Sequence, residues 1–99
     1  MVLYEVNLAV KKSIIADFEV WLQDHVNQML KIDGFESAQI FKVEEDEQDY
    51  KSLTVVYRLK DRECLETYFS TKAAEMREDG LKKFSNNFKA TRRILHPAL

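Results

Sequence analysis

Two apolar periodicities take turns along the chain, and their order constrains the fold more tightly than any motif. From Met1 to Val10 residues alternate, with Val2, Tyr4, Val6, Leu8 and Val10 on one side and Leu3, Glu5, Asn7 and Ala9 on the other. That is the pattern of a half-buried strand. From Ile14 to Leu30 the spacing becomes helical, and Ile15, Phe18, Leu22, Val26 and Met29 fall on one stripe. Ser13 is placed to cap this helix, Asp17 sits near its positive end, and Asp33-Gly34 is the expected stop.

Alternation then returns twice. In Phe35 to Val43, Phe41 and Val43 oppose Ala38 and Ile40; in Tyr50 to Leu59, Leu53, Val55, Tyr57 and Leu59 oppose Thr54, Val56 and Arg58. The acidic run Glu44, Glu45, Asp46, Glu47 and Asp49 lies between them, and without glycine it predicts a loop longer than two residues. Asp61 is placed to cap a second helix bearing Leu65, Tyr68 and Phe69. The pattern pauses at Ser70 and Thr71, and a further helical segment carries Met76, Leu81 and Phe84, with a kink or break expected at Gly80. Asn86 and Asn87 turn the chain into a last strand, Phe88 to Leu95, which Pro97 stops.

The order β-α-β-β-α-β predicts an α+β, ferredoxin-like domain over residues 1–99, a four-stranded antiparallel sheet. Right-handed crossovers put both helices on one face. The other face would carry Leu3, Val56 and either Ile40 or Phe41, mixed with Glu5, Asn7, Thr54 and Arg58. Such a surface is too apolar for open solvent, which predicts a homodimer joined through the sheet faces.

Composition narrows the function classes. Hydrophobic residues at 45% and charged residues at 32% suit a folded domain, and a net charge of -2 argues against nucleic-acid and anionic-membrane partners. The ends of the chain differ: no acid follows Asp79, while Lys82, Lys83, Lys89, Arg92 and Arg93 crowd the last fifth. A solvated hairpin tip and a basic final strand account for this, with an anion-binding surface on Arg92 or Arg93 as the alternative. One cysteine, Cys64, excludes an internal disulfide. With no signal-like start and no long apolar run, a cytoplasmic location is expected.

Tyr4-x-Val6, Ser13, Trp21, His25, Gly34-Phe35, Tyr57, Tyr68, Arg77 and Phe84-x-x-x-Phe88-x-Ala90-x-Arg92 resemble a bacterial family of unknown function, domain of unknown function 4286, over nearly the whole chain. The resemblance implies membership of the dimeric α/β-barrel group, ferredoxin-like protomers joined through their sheets. That wider group includes cofactor-free monooxygenases, haem-handling enzymes, isomerases and ligand sensors, with ligands between the helices and the sheet. The fold by itself carries no activity.

Four residues are candidates for ligand binding: Trp21, His25, Tyr57 and Arg92. Trp21 and His25 lie one helical turn apart, which pairs a stacking plane with a ring that titrates near neutral pH. His25 is the candidate catalytic residue; the alternative is that Trp21 and His25 finish the edge of the core. Arg92 shares strand parity with Phe88, Ala90 and Ile94, so its guanidinium needs a ligand anion or a structural partner such as Glu75 or Glu66. Arg77 has the same two readings, with a solvated helix face favoured. Tyr4, Tyr57 and Tyr68 are either cavity walls or amphipathic core residues. Cys64 is expected in the first turn of the second helix, where the backbone dipole lowers a thiol pKa, though no histidine or second cysteine supports a nucleophile.

No metal site or cofactor is expected, since His25 and His96 lack ligand spacing and two glycines make no phosphate loop. Three functions remain: a homodimer binding a small organic ligand between helices and sheet, a cofactor-independent monooxygenase-like enzyme using His25, or a protein-interaction module. The first two need a cavity; the third predicts a filled core.

Overall fold

The computed structural model describes residues 1–45 and 47–99; Asp46 of the acidic run lies outside the described residues. Four strands and three helices follow in order: β1 (Val2–Lys11), α1 (Ile15–Met29), β2 (Phe35–Lys42), β3 (Tyr50–Leu59), α2 (Arg62–Thr71), α3 (Ala73–Phe84) and β4 (Phe88–Leu95). The sheet order is β2-β3-β1-β4, and every neighbouring pair is antiparallel. This is the ferredoxin-like arrangement, with the second helical segment divided in two.

One face of the sheet carries the core. Val2, Tyr4, Leu8 and Val10 of β1 and Leu53, Val55, Tyr57 and Leu59 of β3 are buried, and they form one cluster with Phe18, Leu22, Val26 and Met29 of α1 and Leu65, Tyr68, Ala73 and Phe84 of the other helices. The helical stripe is therefore the core stripe, with Ile15 half-buried at its start. Asp61 caps α2 as expected, its carboxylate accepting from the Cys64 backbone N–H at 2.8 Å. No helix among the described residues is long and apolar enough to cross a membrane.

The open face has a different character. Glu5, on β1, accepts hydrogen bonds from Arg93 Nε at 2.7 Å and from Asn7 at 2.8 Å, and Thr54 donates to Asn7 at 2.8 Å. Pairing of Phe41 with Thr54 puts Phe41 on this face, 41% exposed, and Ile40 on the helix side against Val55. Leu3 and Val56 are half-buried there.

Several local expectations are corrected. Ser13 does not cap α1: Lys12–Ile14 form a 3₁₀ turn, the helix starts after Ile14, and no side chain caps it among the described residues. The helix also stops before Asp33-Gly34. After Met29 the bonds shorten to i→i+3, Lys31 to Gln28 and Ile32 to Met29. Gly34 serves the turn into β2 instead, at φ +88°, where a side chain would collide with Cys64 Cβ and Sγ. Gly80 does not break α3, which runs unbroken through it, and Leu81 is half-exposed rather than core. In β2 a bulge between Phe35 and Ser37 puts Phe35 on the same side as Ala38.

Candidate functional site

A cavity of about 260 Å³ lies between the helices and the sheet. Its floor follows from strand register. Val6 pairs with Val55 on one side and Arg92 on the other, so these three side chains sit in one row on the helix face, with Tyr57 and Ala90 in the adjoining rows. Val6 shares the buried parity of β1 yet stays half-buried, because the cavity rather than a helix stands above it. One wall is the flank of α1, with Trp21 and His25; the opposite wall is α3, with Met76, Arg77 and Leu81. Trp21, His25, Tyr57 and Arg92 thus line one space.

The rings are held by stacking. Trp21 and His25 are near parallel, 21° apart with centroids at 4.6 Å, as i,i+4 neighbours on a helix face allow. Phe18 and Phe84 brace the indole at 5.4 and 5.7 Å. Gly80 of α3 faces it from the other side: a Cβ there would lie 2.8 Å from Trp21 Cη2 and 3.1 Å from Cζ2. This explains why glycine is tolerated inside a continuous helix. Its place is set by the indole, a long-range contact that no local pattern signals.

Polar groups converge on the space. His25 Nδ1 is buried and makes no hydrogen bond among the described residues. Burial is the main influence on this imidazole and pushes its pKa below the ordinary value of 6.5; Asp79 and Asp24 oppose that effect, and Arg92 adds to it. The ring is therefore neutral near pH 7. Burial also raises the Tyr57 phenol far above its usual range, and lifts Tyr68 to about 12, so both hydroxyls stay protonated as donors. Tyr4 stacks on Tyr57 at 6.0 Å, and its hydroxyl accepts from Arg77 Nη2 at 3.2 Å.

The arginines depart from expectation. Glu66 is engaged by Arg62 at 3.0 Å, and neither it nor Glu75 pairs with Arg92. The ion pairs among the described residues are Arg58–Glu36, Arg62–Glu66, Lys82–Glu78 and Arg93–Glu5, which leave Arg92 and Arg77 without a carboxylate there. Arg92 is more exposed than a core parity suggests, and Arg77 lines the cavity rather than a purely solvated helix face. Cys64 lies in the first turn of α2, but its thiol pKa is raised, not lowered: the Asp61 side chain beside it hydrogen-bonds the protonated form, and partial burial adds to this. Among the described residues no cluster of three His, Cys, Asp or Glu side chains could hold a metal ion.

The model of the family described as domain of unknown function, DUF4286, matches residues 1–98. The chain belongs to this family. No curated protein matches it. Among solved structures it is similar to a dimeric ferredoxin-like protein from an uncultured marine organism, at TM-score 0.75 and 12% identity, covering 99% of this chain and 95% of that one. It is also similar to SnoaB of Streptomyces nogalater, a cofactor-independent oxygenase, at TM-score 0.69 and 11% identity, covering 99% and 94%. A third, an antibiotic biosynthesis monooxygenase, aligns at TM-score 0.73 and 12% identity over 100% of both chains. At these identities the likeness is one of fold.

Proposed function

We propose that this DUF4286 chain is a homodimer, joined through its open sheet faces, that binds a small organic ligand between helices and sheet in each protomer. The observation that carries the reading is the cavity in which the Trp21–His25 stack, Tyr57 and Arg92 meet. Engineered apolar cavities of roughly 150 Å³ accept benzene, so about 260 Å³ has room for more than one ring. A protein-interaction module would have a filled core at this point. The dimer reading rests on Leu3, Phe41 and Val56 around a satisfied polar network, a mixture suited to a partly hydrated two-fold interface.

The test is a nuclear magnetic resonance screen of aromatic fragments against the wild type and Val6→Phe, which fills the cavity from its floor. Binders are expected to shift the Trp21 indole and His25 signals in the wild type and to lose their effect in the variant. Fragments that leave those signals in place, or that bind Val6→Phe equally, would sink the proposal.

A second reading is favoured by His25, a neutral imidazole whose ring lines the cavity. In it, His25 removes a proton from an enolisable aromatic substrate, and dioxygen oxidises the resulting carbanion. One oxygen atom stays on carbon as a carbonyl and the other leaves as water. Substrate-dependent oxygen uptake that disappears in His25→Ala supports turnover; its absence across enolisable bicyclic phenols leaves ligand binding alone.

A further inference from the structure

Every formal charge lining the cavity has the same sign. Arg77 and Arg92 reach it from different elements, one from the α3 wall and one from the β4 floor, while no aspartate or glutamate lines it among the described residues. Neither guanidinium has a carboxylate partner there, although three of the four ion pairs elsewhere use an arginine. Arg92 lines the same cavity as His25, Tyr57 and Tyr68, in the strand row of Val6 and Val55. The tyrosine hydroxyls are held as donors and the imidazole is neutral, which leaves the site rich in donors and cationic overall. The rest of the lining is flat or apolar: Trp21, Phe88, Leu22, Met76.

The geometry points to an aromatic monoanion, a ring of one or two fused cycles bearing a carboxylate or enolate, as the ligand class of this pocket. The anionic group meets Arg92 and Arg77, where paired N–H donors favour a planar oxyanion, and the ring lies against the Trp21 side of the cavity. This deepens the small-ligand reading and rests on it. Arg93, one residue on, has the opposite role: strand alternation turns it to the open face, where Glu5 neutralises it. Of the two adjacent arginines only Arg92 is left to bind an outside anion.

The experiment compares 2-naphthoate with its neutral isostere 2-naphthamide by titration calorimetry, with chemical shifts at Trp21 and His25 reporting the place of binding. The acid is expected to bind at least about tenfold more tightly, the scale of a lost charge-assisted hydrogen bond. Arg92→Gln is expected to weaken the acid far more than the amide, so that the tenfold preference is lost, and Arg77→Gln to reduce the preference in part. Both residues are exposed, so neither substitution removes core packing. Equal binding of acid and amide, or a preference that survives Arg92→Gln, overturns the anion inference and leaves the pocket intact. Binding of neither probe at the Trp21 and His25 signals overturns the pocket reading as well.

Discussion

The two faces of the sheet are built from the same strands and follow opposite rules. On the helix side Tyr4, Val55, Tyr57 and Leu59 are nearly inaccessible, and a cavity opens above Val6. On the open side charge and apolar area are interleaved, and the polar atoms of Glu5, Asn7, Thr54 and Arg93 satisfy one another within the chain. A face whose polar groups are already paired can meet a second copy without stranding a charge. A face that leaves Arg77 and Arg92 without a carboxylate beside a void, among the described residues, is suited to a ligand. Period-two alternation lets one short sequence specify both.

The largest expected effect breaks this comparison at the core. Leu59→Ala should cost about 2–5 kcal/mol in urea unfolding, the range for deleting a large buried aliphatic group. Val56→Ala, in the same strand but on the open face, should cost about 1 kcal/mol or less and act mainly on dimer dissociation. Similar unfolding losses at the two positions would mean that the faces do not differ as described.

A smaller effect sharpens the account of the pocket. Gly80→Ala gains helix propensity, about 1 kcal/mol, but sets a methyl against the braced Trp21 ring, an overpacking that costs roughly 1–3 kcal/mol. Net destabilisation near 1 kcal/mol is expected, with a shift in the emission of this single tryptophan. Unchanged emission together with raised stability would show that the ring yields freely.

The smallest effect separates the faces by pH. The folded state lowers the His25 pKa, so protons favour the unfolded chain: stability is complete above about pH 6.5 and declines as pH falls toward the folded value. Glu5 is also lowered, through its hydrogen bond from Arg93 first and that from Asn7 second, so its contribution is complete above 4.5 and is lost as pH falls through its folded value. His25→Asn should flatten stability only in the upper window and Glu5→Gln only in the lower, as followed by thermal melts across pH. A change in the wrong window for either variant would reassign the shift.

How much of this was legible in the sequence depends on how local each cause is. The strand spans of β1, β3 and β4, the Asp61 cap and the pause at Ser70–Thr71 are set by neighbours within one turn, so the local pattern specifies them. Gly34 has the local signature of a helix stop, but its glycine is required by the turn into β2 and by Cys64 from a distant helix, and α1 ends earlier. The Trp21–His25 pair was visible as i,i+4 spacing, and the face of Arg92 as strand parity. Arg77 was harder, since whether an exposed helix residue reaches a cavity depends on how α3 is rotated against the sheet. The surroundings of Gly80 and Leu81 depend on the same rotation.

The division of labour between the faces is tested most directly by sedimentation equilibrium of the wild type beside Val56→Glu, which places a charge at the centre of the open face. The account predicts a wild-type particle of twice the 11.7 kDa chain mass, and a folded Val56→Glu monomer of 11.7 kDa with an unchanged circular dichroism spectrum. A wild type that stays at 11.7 kDa at high concentration, or a Val56→Glu variant that remains dimeric, would contradict it.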